Sequence, residues 1–454
     1  MPSSVSELLA RVPGVRLTPA ADELDTTGLD FVVARAVDDA GAPWIVRAPR
    51  HEGAALAATA EARVLEVVAR LPVAVPSWRV HAPDVIAYPL VPGTPAVTLG
   101  PTPSWNVIDP HALPPAFLDS FAAMVAACWA LPDAELAGLR RQSIADARAE
   151  AARDVDLACP ALAPPADVER RWRRWLADDG LWPDREALVH GDLHPGHLLL
   201  DDGGALVGVI DWSEAKVSDP SIDLALFFGS FGPGALRDLL ARLPPIVPRE
   251  ALARHAEERW CAFPSAIAAW GLRNGNDAVL AHARGLLERQ RRLRDFEPGD
   301  LPALQRVRQA AFAPVFRSFE AIVGPAIAGV ALAGQDDEQA RLLATICAGG
   351  HHVWVLTAND AVAGFVTFTA DPAKRVGEIG LNAVHPDHAG RGLGAWMYGR
   401  VLARLRELGC EVATVGTGGD ASHAPARRAY AKAGFGPTIP SVYAYAWLGP
   451  LTAD

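Results

Sequence analysis

One stretch of the chain brings an acid and three histidines together: Val189-His190-Gly191-Asp192-Leu193-His194-Pro195-Gly196-His197. Leu198-Leu199-Leu200 follows it, then the turn Asp201-Asp202-Gly203-Gly204, then an apolar run ending Val209-Ile210-Asp211-Trp212. This pattern predicts two short buried strands around a tight turn. One acid precedes the first strand and another closes the second. Phosphoryl transfer needs such a pair: one carboxylate takes the proton of the acceptor hydroxyl, and a neighbouring loop holds Mg²⁺ against the phosphates. Asp192 suits the first role, and His197 and Asp211 suit the second.

The elements that must position these groups belong to a long chain. Its 454 residues exceed one ordinary core, so two or three domains are expected. Half of the residues are hydrophobic and 21% are charged, which is a globular composition. A net charge of −11 argues against nucleic acid or an anionic membrane as a partner. The opening residues have neither a basic n-region nor an apolar h-region, and no apolar run is long enough to span a bilayer. The five cysteines, Cys128, Cys159, Cys261, Cys347 and Cys410, form no CxxC pair. A reducing, cytoplasmic location is the expectation.

Residues 1–93 read as a small β-rich lobe, and residues 94–289 as a mostly helical one. In the first, turn chemistry at Leu24–Asp30 precedes the run Phe31–Ala34, and Trp44–Pro49 makes the return strand. A helix follows over about residues 52–70, and Val85–Leu90 leads to a break at Val91-Pro92-Gly93. If this lobe covers a nucleotide, Thr26, Thr27 and Gly28 supply backbone N–H groups to its phosphates. Arg47 then reaches the phosphates, braced by Glu61, and Tyr88 to Val91 face the base. An ordinary hairpin with a solvated Arg explains the same residues. Further on, Ser218–Asp223 carries a helix start, which accounts for Asp219 and Asp223 as caps. Trp260, Phe263 and Trp270 recur at helical spacing and form either core or one wall of an apolar substrate cleft.

The pattern changes near residue 290. Over 290–454 the chain reads strand (Arg292–Glu297), helices, three strands, a Gly-rich loop, helix, strand (Glu411–Thr417), helix (Ala424–Ala433) and strand (Val442–Leu448). The loop Val384-His385-Pro386-Asp387-His388-Ala389-Gly390-Arg391-Gly392-Leu393-Gly394 sits before a helix N-terminus, a place for a pyrophosphate. It is neither a dinucleotide fingerprint nor a Walker loop.

The motif His190-Gly191-Asp192-x-His194-x-x-His197 with Ile210-Asp211-Trp212 resembles the protein-kinase-like phosphotransferases of the aminoglycoside and choline kinase type. With Leu24–Phe31, Glu61–Leu65, Leu71–Pro76 and Ser213–Pro220 included, the first 288 residues look like the macrolide 2′-phosphotransferase branch. That likeness implies transfer of the γ-phosphate of GTP or ATP, with Mg²⁺, to the 2′-hydroxyl of a macrolide's desosamine. It departs from the wider family at His197, where Asn is usual, and at Arg47, where Lys is usual. Residues from about 290 onward resemble the GNAT acetyltransferases. By that resemblance Val384, Gly390, Arg391, Gly392, Leu393, Gly394 and Ala395 hold acetyl-CoA, Tyr430 protonates the departing thiolate and Glu378 acts as base for an amine. Ala389 and His423 depart from that family's usual residues. The fold class implied is α+β: a bilobal protein-kinase-like domain (1–289) followed by an α/β GNAT-fold domain with a mixed sheet (290–454). The function implied is modification of a small-molecule antibiotic. The alternative is an aminoglycoside-like hydroxyl substrate, with a catalytically silent GNAT-like binding module.

Overall fold

The structure, a computed structural model, describes residues 2–26, 30–98, 104–110, 112–245, 248–359 and 361–449. These residues fall into two compact units, Met1–Ala283 and Arg284–Asp454. No helix among the described residues is long and apolar enough to cross a membrane.

The first unit opens with a five-stranded antiparallel sheet. Phe31–Asp38 and Pro43–Pro49 form its central hairpin, Leu17–Pro19 lies outside the first, and Val85–Pro89 then Val80–Ala82 lie beyond the second. The two-residue alternation of a pleated strand sorts the side chains. Ala34, Ala36, Trp44, Val46 and Ala48 pack against Val5, Leu8 and Leu9 of the short helix Val5–Leu9. The opposite face carries Phe31, Ile45, Ile86 and Tyr88, and Arg47 lies on it in register with Ile86. The helix Glu52–Val68 follows, its start capped by the His51 side chain, which accepts the Ala54 N–H.

The helical lobe is built on Pro115–Trp129, Ile144–Leu162, Ala166–Ala177, Ser221–Arg242 and Arg249–Arg273. Phe117, Phe121, Phe227 and Phe231 interlock at its centre, with ring centroids 4.8 to 6.4 Å apart. On this floor lies the hairpin Leu198–Leu200 with Leu206–Val209, as the sequence predicts; Thr94–Pro95 adds a third strand. Its turn is closed by Asp201 Oδ1, which accepts the Gly203 and Ala205 N–H groups. Ala187–Val189, buried throughout, pairs with Lys216–Ser218.

The second unit carries a five-stranded mixed sheet in chain order: Arg292–Asp295, His352–Ala358, Ala361–Asp371, Val376–Val384 and Val412–Val415. The first four are antiparallel, and the last pairs in parallel with Val376–Ile379 only. Leu301–Val323 packs on one face through Leu304 and Val307, and Leu393–Glu407 on the other through Met397, Val401 and Leu405. The strand expected over Val442–Leu448 is not formed: Val442, Tyr443 and Leu448 are each at least 90% exposed. Its residues favour a strand, but with no partner beside them they gain no ladder hydrogen bonds.

Candidate active site

The buried strand Ala187–Val189 delivers the chain to His190 and Gly191. Their backbone N–H groups donate to Asp223 Oδ2 (2.8 Å) and Oδ1 (2.9 Å). Asp223 lies in the first turn of Ser221–Arg242, so the start of that helix grips the loop. Gly191 has φ +88°, and a Cβ there would collide with the Glu214 carbonyl. Only glycine combines that backbone conformation with so close an approach. The buried His190 ring accepts the Asp192 N–H on Nδ1 (3.2 Å) and donates from Nε2 to the Ile210 carbonyl oxygen (3.0 Å). Burial, with His197 adding to it, pushes the His190 pKa down to about 3, so the ring is neutral at ordinary pH.

Beyond Asp192 the chain makes a 3₁₀ turn, Pro195–His197, capped by His194 Nδ1, which accepts the Gly196 N–H (3.0 Å). His197 Nδ1–H donates to the backbone carbonyl oxygen of Asp192 (2.9 Å). That bond fixes a proton on Nδ1, and Nε2 faces Asp211 Oδ2 at 3.7 Å. Asp211 adopts φ +63°, rare outside glycine, and accepts the Ser213 hydroxyl on Oδ1 (2.7 Å). Two donors at this separation suit one divalent cation with bonds of roughly 2.1 Å. Atoms of Asp192, His194 and His197 also approach within 4.8 Å of one another. His194, however, has Nδ1 engaged as an acceptor, so its neutral ring turns an N–H rather than a lone pair outward. The Asp192 carboxylate is open to the cleft on one side, and partial burial raises its pKa. Burial pushes Asp211 the same way, but His197, the Ser213 bond and Arg47 together hold it below the usual carboxylate range.

Arg47 and Glu61 meet on the underside of the N-terminal sheet, Nη2 to Oε2 at 2.6 Å, with both side chains buried. The guanidinium lies over Phe31 (4.5 Å) and Trp78 (4.8 Å), and it sits within electrostatic range of Asp211. Tyr88 is buried on the same sheet face, and Val91 packs over Gly208 of the hairpin that follows His197. Thr26 is exposed, its carbonyl accepting from Arg50; Thr27 and Gly28 lie outside the described residues. Arg47, Tyr88 and Asp211 thus lie within electrostatic range of one another, with Asp192 and His197 beside Asp211.

A cavity of about 210 Å³ opens beside Gly191. Ile222, Leu226, Phe263 and Trp175 supply its apolar walls, with Glu150, Asp154 and Lys216 as polar anchors. Asp154 is paired with Arg273, and Glu150 accepts from Gln142. Of the aromatic stripe, Phe263 lines the cavity, and Trp260 stacks on it (5.1 Å) while packing against Gly229. Trp270 does not line the cavity and is 43% exposed. Asp223, Glu150, Asp154 and Lys216 were not singled out as site residues from the sequence.

In the second unit the turn after Val384 carries Gly390 (φ +79°) and Gly392 (φ +76°), the latter being the N-cap of Leu393–Glu407. Gly394 and Ala395 lie in the first turn of that helix, and Arg391 reaches His388 (3.4 Å). Tyr430 is buried, and its hydroxyl donates to Asn382 Oδ1 (3.1 Å). Tyr398 donates to the same oxygen (2.7 Å), so two phenols share one acceptor that sequence reasoning had not picked out. Burial raises the Tyr430 pKa, opposed by the bond to Asn382. Glu378 is exposed on the same strand as Asn382. His423 Nδ1 meets Asp420 Oδ1 at 2.6 Å and stacks on Phe319. A wider groove of about 630 Å³, lined by Phe316, Glu320 and Leu332 among others, includes none of these residues.

Residues 24–257 match the phosphotransferase enzyme family, and residues 325–435 the acetyltransferase (GNAT) family. The chain is 35% identical over 273 residues to an uncharacterised protein of Bacillus subtilis, covering 57% of this chain and 87% of that one. Among solved structures, a macrolide 2′-phosphotransferase type I is 36% identical at a TM-score of 0.54, covering 60% of this chain and 92% of that one. The macrolide 2′-phosphotransferase of Brachybacterium faecium is 32% identical at 0.56, covering 62% and 96%. The GDP and kanamycin complex of an APH(2″) enzyme, 19% identical at 0.50 and covering 62% and 95%, shares the fold. The chain therefore belongs to the phosphotransferase enzyme family and carries a GNAT domain at its C-terminal side.

Proposed function

We propose that the first domain, about residues 1–289, transfers the γ-phosphate of GTP or ATP to the 2′-hydroxyl of a macrolide's desosamine and so inactivates the antibiotic. The observation that carries this reading is the approach of Asp192 to the His197–Asp211 cation pair, with the acceptor cavity opening at Gly191. Asp192 orients the hydroxyl and takes its proton, and its raised pKa suits a base that must be partly protonated after transfer. His197 and Asp211 hold Mg²⁺, which supplies charge neutralisation at the phosphates. Arg47 offsets charge at the nucleotide, kept in place by Glu61 and its aromatic neighbours. Thr26 to Gly28 and Tyr88 to Val91 are the nucleotide's remaining contacts in this reading. Positioning and electrostatics, rather than covalent chemistry, carry the step.

The size of the cavity supports a single sugar ring. At about 210 Å³ it is smaller than the ~300–1,000 Å³ of sites for drug-sized ligands, so one ring enters and a macrolactone stays outside against Phe263 and Trp260. Asp154 is paired with Arg273, and Glu150 accepts from Gln142 and lies within electrostatic range of Lys216. The acidic residues give the alternative, an aminoglycoside, its one specific support. A panel of nucleotides against macrolides and aminoglycosides, read by product mass, decides between them. A phosphorylated macrolide supports the first reading, and a phosphorylated aminoglycoside alone replaces it.

For the second domain, about 290–454, we propose acetyl transfer from acetyl-CoA to an amine. The Gly390–Gly394 turn presents backbone N–H groups to the pyrophosphate, Tyr430 protonates the thiolate and Glu378 serves as base. Calorimetry with acetyl-CoA tests this: no heat at millimolar ligand would leave a silent binding module.

A further inference from the structure

We propose that Tyr398 is a positioning residue for the acid Tyr430: the two hydroxyls are set together on Asn382, and Tyr398 donates to the Tyr430 oxygen once the Tyr430 proton has left. This rests on the acetyl-transfer reading of the second domain. Asn382 lies on Val376–Val384, three residues past Ile379, the last residue of that strand to pair with Val412–Val415. Its amide is fixed from the other end. Nδ2–H donates to the Gly380 carbonyl oxygen (2.8 Å), which turns Oδ1 toward the two phenols. A carbonyl oxygen can only accept, so Tyr398 (2.7 Å) and Tyr430 (3.1 Å) both point their protons at it.

Tyr398 comes from Leu393–Glu407, the helix that starts at the Gly-rich turn, and Tyr430 from Ala424–Ala433. Their rings lie 4.6 Å apart, both residues are buried, and Phe435 packs edge-on against Tyr430 at 5.8 Å. Asp420 and His423, at the start of the Tyr430 helix, are paired with each other. When Tyr430 gives its proton to a sulfur, its O–H bond breaks and the electron pair stays behind as phenolate. A charge so buried needs a donor beside it. Asn382 Oδ1 has no hydrogen to offer, and Nδ2 is engaged on Gly380. The Tyr398 hydroxyl can serve: its O–H bond stays intact, and its hydrogen turns from Oδ1 to the Tyr430 oxygen. That contact opposes the upward push of burial on the Tyr430 pKa. Burial, with Tyr430 adding to it, holds the Tyr398 pKa well above the ordinary phenol value, so Tyr398 keeps its own proton.

Fluorine NMR on the full chain, its five tyrosines replaced by 3,5-difluorotyrosine, tests this without turnover. Fluorine lowers a phenol's pKa, which brings the titrations into a range where the fold survives. Single Tyr→Phe variants assign the signals. The Tyr430 midpoint should rise by about 1–2 pH units in Tyr398→Phe, the loss of one hydrogen bond to a charged oxygen. An unchanged or lower midpoint overturns the proposal. If Tyr398→Phe fails to fold, the wild type decides, with the Tyr398 signal identified by elimination. Tyr430 should then ionise first and Tyr398 well after it; the reverse order overturns the proposal. Calorimetry with acetyl-CoA on the same protein separates the two readings. A raised midpoint without acetyl-CoA binding would leave the Tyr398–Tyr430 pairing standing and remove acetyl transfer. Acetyl-CoA binding without the raised midpoint would do the reverse.

Discussion

Asp223→Asn separates the positioning of the loop that carries Asp192 from the stability of the fold. Both carboxylate oxygens of Asp223 are used, one for His190 N–H and one for Gly191 N–H. An amide can accept only one of these, and its NH₂ then faces the other donor. Leaving one buried donor unmet costs about 1–3 kcal/mol. Against this, the variant no longer buries a charge, and that charge is costly. Burial raises the Asp223 pKa from 3.8 to about 6, even with two N–H groups opposing the shift. A raised carboxyl pKa means that its stabilising contribution is full below pH 3.8 and is lost as pH rises through about 6. The two effects offset at pH 7, so we expect the net stability change to stay within ~2 kcal/mol, or roughly 5 °C in Tm. Activity should suffer far more. A loop shifted by ~1 Å misplaces Asp192, which can cost about 10²-fold in kcat. Nucleotide KM should change less than kcat, since Arg47 and Glu61 are untouched. The ratio of wild-type to variant kcat should narrow as pH falls below about 6, where the wild-type carboxyl is itself protonated. Thermal unfolding beside kcat against pH reads all of this. An unchanged kcat, or a loss of kcat fully matched by loss of folded protein, refutes the positioning role.

Gly191→Ala should lower kcat at least tenfold, because the new methyl meets the Glu214 carbonyl at a backbone conformation that side chains avoid; steady-state kinetics on soluble protein checks it. Glu61→Ala leaves the Arg47 guanidinium buried without its partner and should cost about 3–5 kcal/mol, with weaker nucleotide binding by calorimetry. An unchanged melting temperature would contradict that burden. His190, its pKa lowered from 6.5 to about 3, favours the native state fully above pH 6.5, and that contribution is lost as pH falls toward 3. The curve of Tm against pH should bend down below pH 6.5, and less so in His190→Asn.

Much of the site could be read from the chain because its parts are local. Asp192, His197 and Asp211 belong to one strand–turn–strand unit, and alternation with turn chemistry is a short-range signal. The Arg47–Glu61 pair was also visible, as a strand residue followed by a helix acid. The grip of Asp223 was not. An acid in a first helical turn already has a sufficient local explanation as a cap, and its actual partners lie 32 and 33 residues upstream. The shared acceptor Asn382 was hidden for a similar reason. A polar residue in a strand says nothing about which phenols from two helices will reach it. Helical spacing put Trp260, Phe263 and Trp270 on one stripe, yet burial along that helix varies, and Trp270 falls past the end of the cavity. At Val442–Leu448 strand propensity alone did not make a strand, since a sheet needs a neighbour as well as a sequence.

Asp192 stands at the centre of the site, and one comparison tests its role directly. Wild type and Asp192→Asn are incubated with nucleotide, divalent cation and a desosamine-bearing macrolide, the product is followed by mass, and GDP binding is measured alongside. The expected result is a macrolide heavier by one phosphoryl group from the wild type. The variant should form it about 10²–10⁴ times more slowly while binding GDP equally well. An equal rate from Asp192→Asn, or no phosphorylated macrolide from the wild type, would contradict it.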